Sequence, residues 1–219
     1  MTFDLPFLWQ ILQTIFKALP LTLLIALLSC VGASVLGFAF EILRRSHPIA
    51  RRVMRFTIDF LRSTPLLVQI YFLYYVLPYY GIVMPGPLIG GIALSLYYSG
   101  YLAEVFKAGI DTVPRGQSEA AVAIGLSPVD VILRVIAPQM LRNIAAPMGN
   151  YFVSILKSTP YLAVIGVAEM MGTTLEIASN TFRYAEPMIV LGIVFFVLAA
   201  SIAWLVRRLE DRLMRSTRR

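Results

Sequence analysis

The amino-acid sequence predicts an all-α integral membrane protein with five transmembrane helices. Of its 219 residues, 58% are hydrophobic and only 14% are charged, and the mean hydropathy is +0.77. A soluble domain of this length would need more charge to cover its surface. Several apolar runs also approach the length of about 20 residues with which a helix crosses a hydrocarbon core of about 30 Å. Finally, the arginines cluster between alternate runs, as they do in membrane proteins.

Five apolar runs supply the predicted spans of what we expect to be one membrane domain covering residues 1–219. The spans are placed at residues 18–43, 57–80, 88–107, 143–168 and 187–206. The first, third and fifth are clear, whereas prolines interrupt the second and the fourth, the latter at Pro147 and Pro160. Interruptions of this kind are expected in the interior of a transporter. The segment before Lys17 lacks a basic start and a small-residue cleavage site, so no removable signal peptide is expected.

The net charge of +7 is predicted to reflect topology rather than binding to nucleic acid. Three segments hold most of the arginines: Arg44, Arg45, Arg51, Arg52 and Arg55, then Arg115, Arg134 and Arg142, then Arg207, Arg208, Arg212, Arg215, Arg218 and Arg219. They follow the first, third and fifth runs, and basic loops remain cytoplasmic. The amino terminus is therefore predicted outside and the carboxyl terminus inside.

The residue types needed for catalysis or metal binding are scarce. Cys30 is the only cysteine and His47 the only histidine, so neither an internal disulfide nor a catalytic or metal cluster is expected. The lysines Lys17, Lys107 and Lys157 follow Phe, Phe and Leu, so the phosphate-binding pattern G-x-x-x-x-G-K-[ST] does not occur. The chain is therefore predicted to be no enzyme and to hold no cofactor. If ATP drives transport, another chain binds it.

Residues 108–142, between the third and fourth spans, form a loop that is too long and too apolar for a simple connection. Helix-forming residues precede Gly125, with Glu119 expected in the first turn, where a carboxylate suits the helix dipole. Gly125 can take the positive φ that ends a helix, and Ser127 can cap a second helix that Pro138 ends or bends. The loop is thus predicted to be a hairpin of two short helices.

Two interpretations of the first hairpin helix remain open from its residues. It could lie on the lipid surface, or it could insert into a groove of another protein. Its sequence, SEAAVAIG, is small and nearly uncharged, without the basic face and bulky anchors of an interfacial helix. Small residues favour docking into a protein groove.

The stretch EAAVAIGLSPVDVILRVIAP resembles the EAA loop of importer-type ABC permeases. The matching residues, at the family spacing, are Glu119, Ala120, Ala121, Gly125 and Pro138, whereas Val135 and Ala137 depart mildly from it. The stretches LRSTPLLVQIYFLYY, SGYLAEVFKAGIDTVPRGQSEAA, GNYFVSILKSTPYLAVIGVAEM and RRLEDRL extend the resemblance over nearly the whole chain. They look like the branch that transports polar amino acids.

This resemblance implies the type I ABC importer permease fold in a bacterial cytoplasmic (inner) membrane. In that family the first hairpin helix couples the permease to the ATP-hydrolysing subunit, which implies this role for Glu119, Ala120, Ala121 and Gly125. It also implies a second permease subunit, homologous or identical, two cytoplasmic ATPase subunits that bind ATP and Mg, and an extracytoplasmic substrate-binding protein. The remaining expected partner is membrane lipid, not nucleic acid.

Two short stretches, LRSTPLLVQI and LKSTPYLAVI, nearly repeat each other, with six of ten positions identical. Each places Ser-Thr-Pro after a cation, Arg62 or Lys157, inside or beside an apolar run. A proline frees a backbone carbonyl, which needs a partner in lipid. The hydroxyls could repair two kinked helices, or the kinks could open polar groups toward an aqueous pathway. The resemblance favours the pathway, because these helices line it in related permeases.

The predicted pathway residues are Ser63, Thr64, Gln69, Tyr98, Ser99, Lys157, Ser158 and Thr159. Arg62 could instead join an ion-pair ladder with Asp59 and Arg55, and Lys157 could reach the membrane surface rather than bind a substrate carboxylate. Many relatives have an acidic residue at the position of Ser158, so a cationic substrate is disfavoured. Two outer carboxylates, Glu169 and Glu176, are expected on a solvated face rather than against a soluble partner.

Two other classes of protein fit the sequence less well than an ABC permease does. A secondary transporter driven by an ion gradient would need a buried acidic site for a proton or sodium, and the span centres offer no obvious carboxylate. A non-transporting membrane scaffold would leave the repeated Ser-Thr-Pro unexplained. The sequence therefore predicts a permease subunit of an ABC importer for polar amino acids or close analogues.

Overall fold

The structure, a computed structural model, describes residues 4–215, with the side chains described as far as Arg208. Its α-helices are α1 (Leu5–Ser46), α2 (Pro48–Ser63), α3 (Leu66–Tyr71), α4 (Gly86–Asp111), α5 (Arg115–Ala123), α6 (Pro128–Asp130), α7 (Ala137–Ser158), α8 (Met170–Thr181) and α9 (Ala185–Arg215). Wider π-helical turns cover Phe72–Val76 and Val131–Ile136, and tighter 3-10 turns cover Leu77–Tyr80 and Thr159–Ile165. The predicted all-α class is confirmed.

Within residues 4–215, three helices, α1, α4 and α9, are long and apolar enough to cross a membrane. Two bent pairs raise the number to five if each pair counts as one span. The first pair joins α2 to Leu66–Tyr80 with a bend of 102°, and the second joins Pro128–Ile165 to α8 with a bend of 46°. The five-span count and the predicted span limits remain predictions.

Helix α4 is the centre of the bundle and packs against α1, α2 and α7. Its buried side chains, among them Leu94, Leu102 and Phe106, form one core with residues of α1 and α7. Helices α1 and α4 approach each other closely at Gly37, where a Cβ would lie 2.9 Å from the carbonyl oxygen of Ser99. The two backbones can therefore pack this closely only because residue 37 has no side chain.

Helix α1 begins well before the first predicted span, which starts at residue 18. Asp4 caps it by accepting a hydrogen bond of 3.4 Å from the amide of Phe7. Its first turns bury Ile11 and Ile15 in a second core, shared with α8 and α9. The helix is about 63 Å long at 1.5 Å per residue. The hydropathy of the sequence identified only the most apolar part of α1, and the helix itself is longer.

The second hairpin helix is longer than predicted: of the two alternatives for Pro138, that it ends the helix is wrong, and that it bends the helix stays a prediction. From Pro128 the chain continues through α6, the π-helical turn Val131–Ile136 and α7 without leaving helical structure. The π-helical turn ends at Ile136, two residues before Pro138, and such a turn can accommodate a residue that cannot donate a hydrogen bond. Helix α7 also passes through Pro147 and ends only at Ser158.

Candidate functional site

The first Ser-Thr-Pro motif forms the sharp bend between α2 and α3. Because Pro65 has no amide hydrogen, the carbonyl of Leu61 loses its helical partner. The side-chain amide of Gln69 replaces it, with Nε2 2.9 Å from the Leu61 oxygen and 2.7 Å from Thr64 Oγ1. The Thr64 hydroxyl in turn donates to the carbonyl of Phe60 at 2.9 Å. Gln69 and Thr64 are thus brought together and stabilise the bend.

The second motif repairs its break in a different way. Pro160 frees the carbonyl of Leu156, and the Thr159 hydroxyl donates to that oxygen at 2.9 Å. The neighbouring Ser158 places its hydroxyl 2.7 Å from that of Tyr98 on α4. Thr159 has no exposed surface. In this conformation its hydroxyl stabilises the break. Its place on the substrate pathway stays a prediction.

The predicted pathway residues differ in how far their side chains are exposed. Ser63 and Lys157 are exposed, Thr64 and Gln69 are half-buried, and Tyr98, Ser99, Ser158 and Thr159 are buried. Ser99 turns its hydroxyl back to the carbonyl of Leu96 at 2.6 Å, away from the other predicted pathway residues. Helix α3 packs against the turn Thr159–Ile165, so the two breaks are neighbours in the bundle.

A groove of about 310 Å³ lies between α2, α4 and α7. Its polar and aromatic lining consists of Arg62, Tyr101, Glu104, Thr112, Asn143 and Tyr151. The Arg62 guanidinium lies 5.3 Å from the centroid of the Tyr101 ring, a cation–π distance. Among the described side chains no ion pair forms at Arg62, so the alternative of a ladder with Asp59 and Arg55 is not observed. This groove was not predicted from the sequence, because it forms only where three helices from different parts of the chain pack together.

A stripe of polar side chains runs along one face of α7. Asn143, Asn150, Ser154 and Lys157 are spaced seven, four and three residues apart, which places them on the same side of a helix. Three of them are exposed, and Ser154 is half-buried. Facing lipid, such a stripe would leave amide and ammonium groups without partners, at high cost. In the membrane it must face water or protein. We call it the α7 polar stripe.

The hairpin turn after α5 has the predicted local geometry. Gly125 has φ +84°, and its amide donates to the carbonyl of Val122 at 2.9 Å. Ser127 caps the next helix by accepting from the amide of Asp130 at 3.2 Å. One detail of the prediction is wrong: α5 begins at Arg115, so Glu119 lies in its second turn rather than in the first.

The hairpin presents an apolar surface that the rest of the chain leaves uncovered. Ala121 is buried, whereas Glu119 and Ala120 are exposed. Val122 is 62% exposed and Ile124 is 78% exposed, although both are apolar. Exposed apolar residues around small ones suit a groove in a second protein.

Five charged side chains form a cluster where α1 and α4 end, which was not predicted from the sequence. Arg44 donates to Glu41 and to Glu104, with Nη1 2.6 Å from Glu104 Oε1. Arg45 contacts Glu41 and donates to Asp111 Oδ1 at 2.6 Å. Glu41 is 1% exposed and Arg44 is 9% exposed. The spacing of Glu41, Arg44 and Arg45 indicates ion pairs within one helix, but it could not indicate their partners on α4. We call this group the ion cluster.

Glu169 contradicts the expectation of a solvated face, because its side chain is completely buried. Its Oε1 accepts a hydrogen bond of 2.8 Å from the amide of Gly172 and thereby caps α8. The amide of Met170 donates at 3.0 Å to the Thr22 hydroxyl on α1, which ties the start of α8 to that helix. Glu176 is exposed, as expected.

Comparisons with known proteins agree with the geometry. Residues 33–215 match the family described as "Binding-protein-dependent transport system inner membrane component". The chain is 39% identical over 212 residues to the "Probable amino-acid ABC transporter permease protein y4tG" of Sinorhizobium fredii, covering 96% of this chain and 91% of that protein. It is 30% identical over 216 residues to the glutamine transport system permease protein GlnP of Escherichia coli, covering 97% and 99%.

A solved structure shows the same architecture. A crystal structure of an amino acid ABC transporter with histidines includes a chain that is 31% identical and superposes with a TM-score of 0.86, over 97% of this chain and 100% of that one. Nothing in these comparisons supports a secondary transporter or a scaffold. The chain belongs to the family of inner-membrane components of binding-protein-dependent transport systems, the permease subunits of ABC importers.

Proposed function

We propose that this chain forms the pathway by which polar amino acids or close analogues cross the inner membrane. The observation that carries the proposal is the α7 polar stripe, which a helix facing lipid would not tolerate. The groove between α2, α4 and α7 meets the stripe at Asn143. The names of the relatives, which refer to amino-acid and glutamine transport, support the substrate class.

Within the pathway, the residues divide into two roles. Arg62, Ser63 and Lys157 expose their side chains, and the two cations can bind the carboxylate of an amino acid. Five others stabilise the helical breaks: Thr64, Gln69, Tyr98, Ser158 and Thr159. The hydroxyl of Ser99 bonds within α4 instead. Arg62 and Lys157 also disfavour a cationic side chain on the substrate, since like charges repel.

The hairpin also supports a proposal for how the complete importer is assembled. Glu119, Ala120, Ala121 and Gly125 form the docking element for an ATPase subunit, which binds ATP and Mg. Two such subunits, a second permease subunit and an extracytoplasmic binding protein complete the transporter. Exposure of Val122 and Ile124 at the hairpin supports this docking surface.

The orientation can be tested with reporter fusions. Fusions after Arg55, Arg134 and Arg215 should score cytoplasmic because arginine-rich loops stay inside, whereas a fusion near Gly86 should score external. Paired reporters, one active only inside and one only outside, provide the control at each position. A cytoplasmic score near Gly86 would contradict the five-span topology.

The pathway can be tested by thiol labelling in a Cys30→Ala background. Asn150→Cys and Lys157→Cys should react with a small water-soluble reagent, because thiolates form in water and not in lipid. An excess of mixed L-amino acids, supplied with the binding protein, should slow the reaction severalfold. Phe196→Cys is the matched control: Phe196 is 73% exposed but lies among apolar residues of α9, so its cysteine should stay unreactive. Equal reactivity at all three positions would refute an aqueous pathway along α7.

A further inference from the structure

Glu104 belongs to two different parts of the molecule. Its side chain lines the groove between α2, α4 and α7 and is 31% exposed there. Its Oε1 also accepts a hydrogen bond of 2.6 Å from Arg44, whose side chain is only 10% exposed. Of the acidic side chains that the structure describes, Glu104 lines this groove and also belongs to the ion cluster. The pathway and the cluster therefore meet at one carboxylate.

The ion cluster ties together two helix ends that are far apart in the chain. Arg44 and Glu104 are separated by 60 positions, and Arg45 and Asp111 by 66. Arg44 is enclosed between two carboxylates, Glu41 and Glu104, in a buried setting where a charge without a partner is strongly unfavourable. The ends of α1 and α4 are consequently held as one unit.

The docking hairpin is attached directly to this unit. Asp111, in the cluster, is the last residue of α4, and α5 begins at Arg115 after a link of three residues. Within the link, the Thr112 hydroxyl accepts a hydrogen bond of 2.8 Å from Asn143 Nδ2 on α7. The other arm of the hairpin faces the cluster across a small cavity lined by Arg45, Pro128 and Ile132. The hairpin is therefore connected to the clustered ends of α1 and α4 by a short link and lies beside them across this cavity.

We propose that Glu104 and Arg44 are a positioning pair that transmits movement of the docking hairpin to the substrate groove. The proposal rests on the function proposed above, because it assumes that an ATPase docks on the hairpin. Coupling between two sites requires an element whose arrangement both sites bias. Glu104 is the candidate for this element, because its carboxylate lines the groove and is held by Arg44 in the cluster next to the hairpin.

The test uses the complete transporter, with its ATPase and binding protein, in proteoliposomes. The measured quantity is the amount of ATP hydrolysed per molecule of radiolabelled amino acid imported, for whichever L-amino acid the wild-type complex imports best. Glu104→Gln keeps the shape of the side chain and removes its charge. It should raise this ratio about three- to tenfold, within the range reported for residues that carry coupling between sites. Arg44→Gln should do the same.

The double variant separates transmission from independent effects. If Glu104 acts through Arg44, the combination of Glu104→Gln with Arg44→Gln should change the ratio no more than either substitution alone. Arg44→Lys, which keeps the charge but loses the planar fork that contacts both carboxylates, should raise the ratio as well and replaces Arg44→Gln if that variant does not accumulate. Glu186→Gln is the matched control, since it breaks a Glu–Arg pair with Arg183 away from the cluster and should leave the ratio unchanged.

Three results would overturn the inference. A higher substrate concentration for half-maximal import, with an unchanged ratio, would make Glu104 a groove contact only. A proportional fall of import and hydrolysis would make the pair merely structural. Additive effects in the double variant would show that the two residues act separately. If instead the wild-type complex shows no import dependent on ATP, the proposed function itself fails.

Discussion

A Gly125→Val variant is expected to insert into the membrane normally but to lose the stimulation of ATP hydrolysis by loaded binding protein. Gly125 has φ +84°, and a residue with a Cβ costs about 1–2 kcal/mol in this conformation, more when it is β-branched. The chain would relieve the strain by changing the angle between α5 and the helix capped by Ser127. Because 1.4 kcal/mol is a factor of ten in an equilibrium, the docked geometry should become about ten times rarer. The check is the ATPase activity of membranes with and without loaded binding protein.

Two further variants make this result specific. Gly125→Asn is the matched control, since asparagine tolerates the left-handed conformation and should retain most of the stimulation. Glu119→Lys reverses a charge on the exposed side of α5 without straining the backbone, and it should also uncouple hydrolysis from transport. Normal stimulation in both Gly125→Val and Glu119→Lys would mean that the hairpin is not the docking element.

Gly37→Ala is expected to destabilise the bundle, although alanine is the better helix former. Its Cβ would lie 2.9 Å from the carbonyl oxygen of Ser99 and 3.0 Å from the amide nitrogen of Ala103, both backbone atoms of α4. Overpacking of this kind costs about 1–3 kcal/mol, against a gain of up to about 1 kcal/mol in helix propensity. The net effect should be a lower unfolding temperature of the purified protein in detergent.

The same substitution elsewhere should have the opposite sign. At Gly91, also within a helix, a Cβ meets nothing within 4 Å, so Gly91→Ala gains helix propensity without overpacking. Its unfolding temperature should equal or exceed that of the wild type. If the two variants behave alike, the close approach of α1 and α4 is not what makes residue 37 critical.

The local features of the fold could be predicted because they depend on the chemistry of a few consecutive residues. The apolar runs mark the helices that can cross a membrane, since about 20 apolar residues are enough to predict such a helix. Gly125 and Ser127 end and start helices as expected, because positive φ and capping are properties of the residue itself. The Ser-Thr-Pro motifs were predictable for the same reason. Pro65 and Pro160 have no amide hydrogen, so each leaves one backbone carbonyl that needs another hydrogen-bond donor.

What the sequence could not decide is which distant group each polar side chain meets. It did not show that the side chain of Gln69 donates to the carbonyl of Leu61, that Glu169 is buried, or that Pro138 lies within a continuous helix. Each outcome depends on side-chain reach across a bend, on packing between remote segments, or on a π-helical turn with no clear local signal.

The sequence by itself therefore determined the class of the protein, its apolar helical character and the turn chemistry of its hairpin. Only the tertiary structure decided that Glu104 and Arg44, 60 positions apart, share a hydrogen bond and that the α7 polar stripe lies beside a groove. The physical reason is that helix formation and capping are local, whereas the pairing of buried charges depends on how whole helices pack against each other.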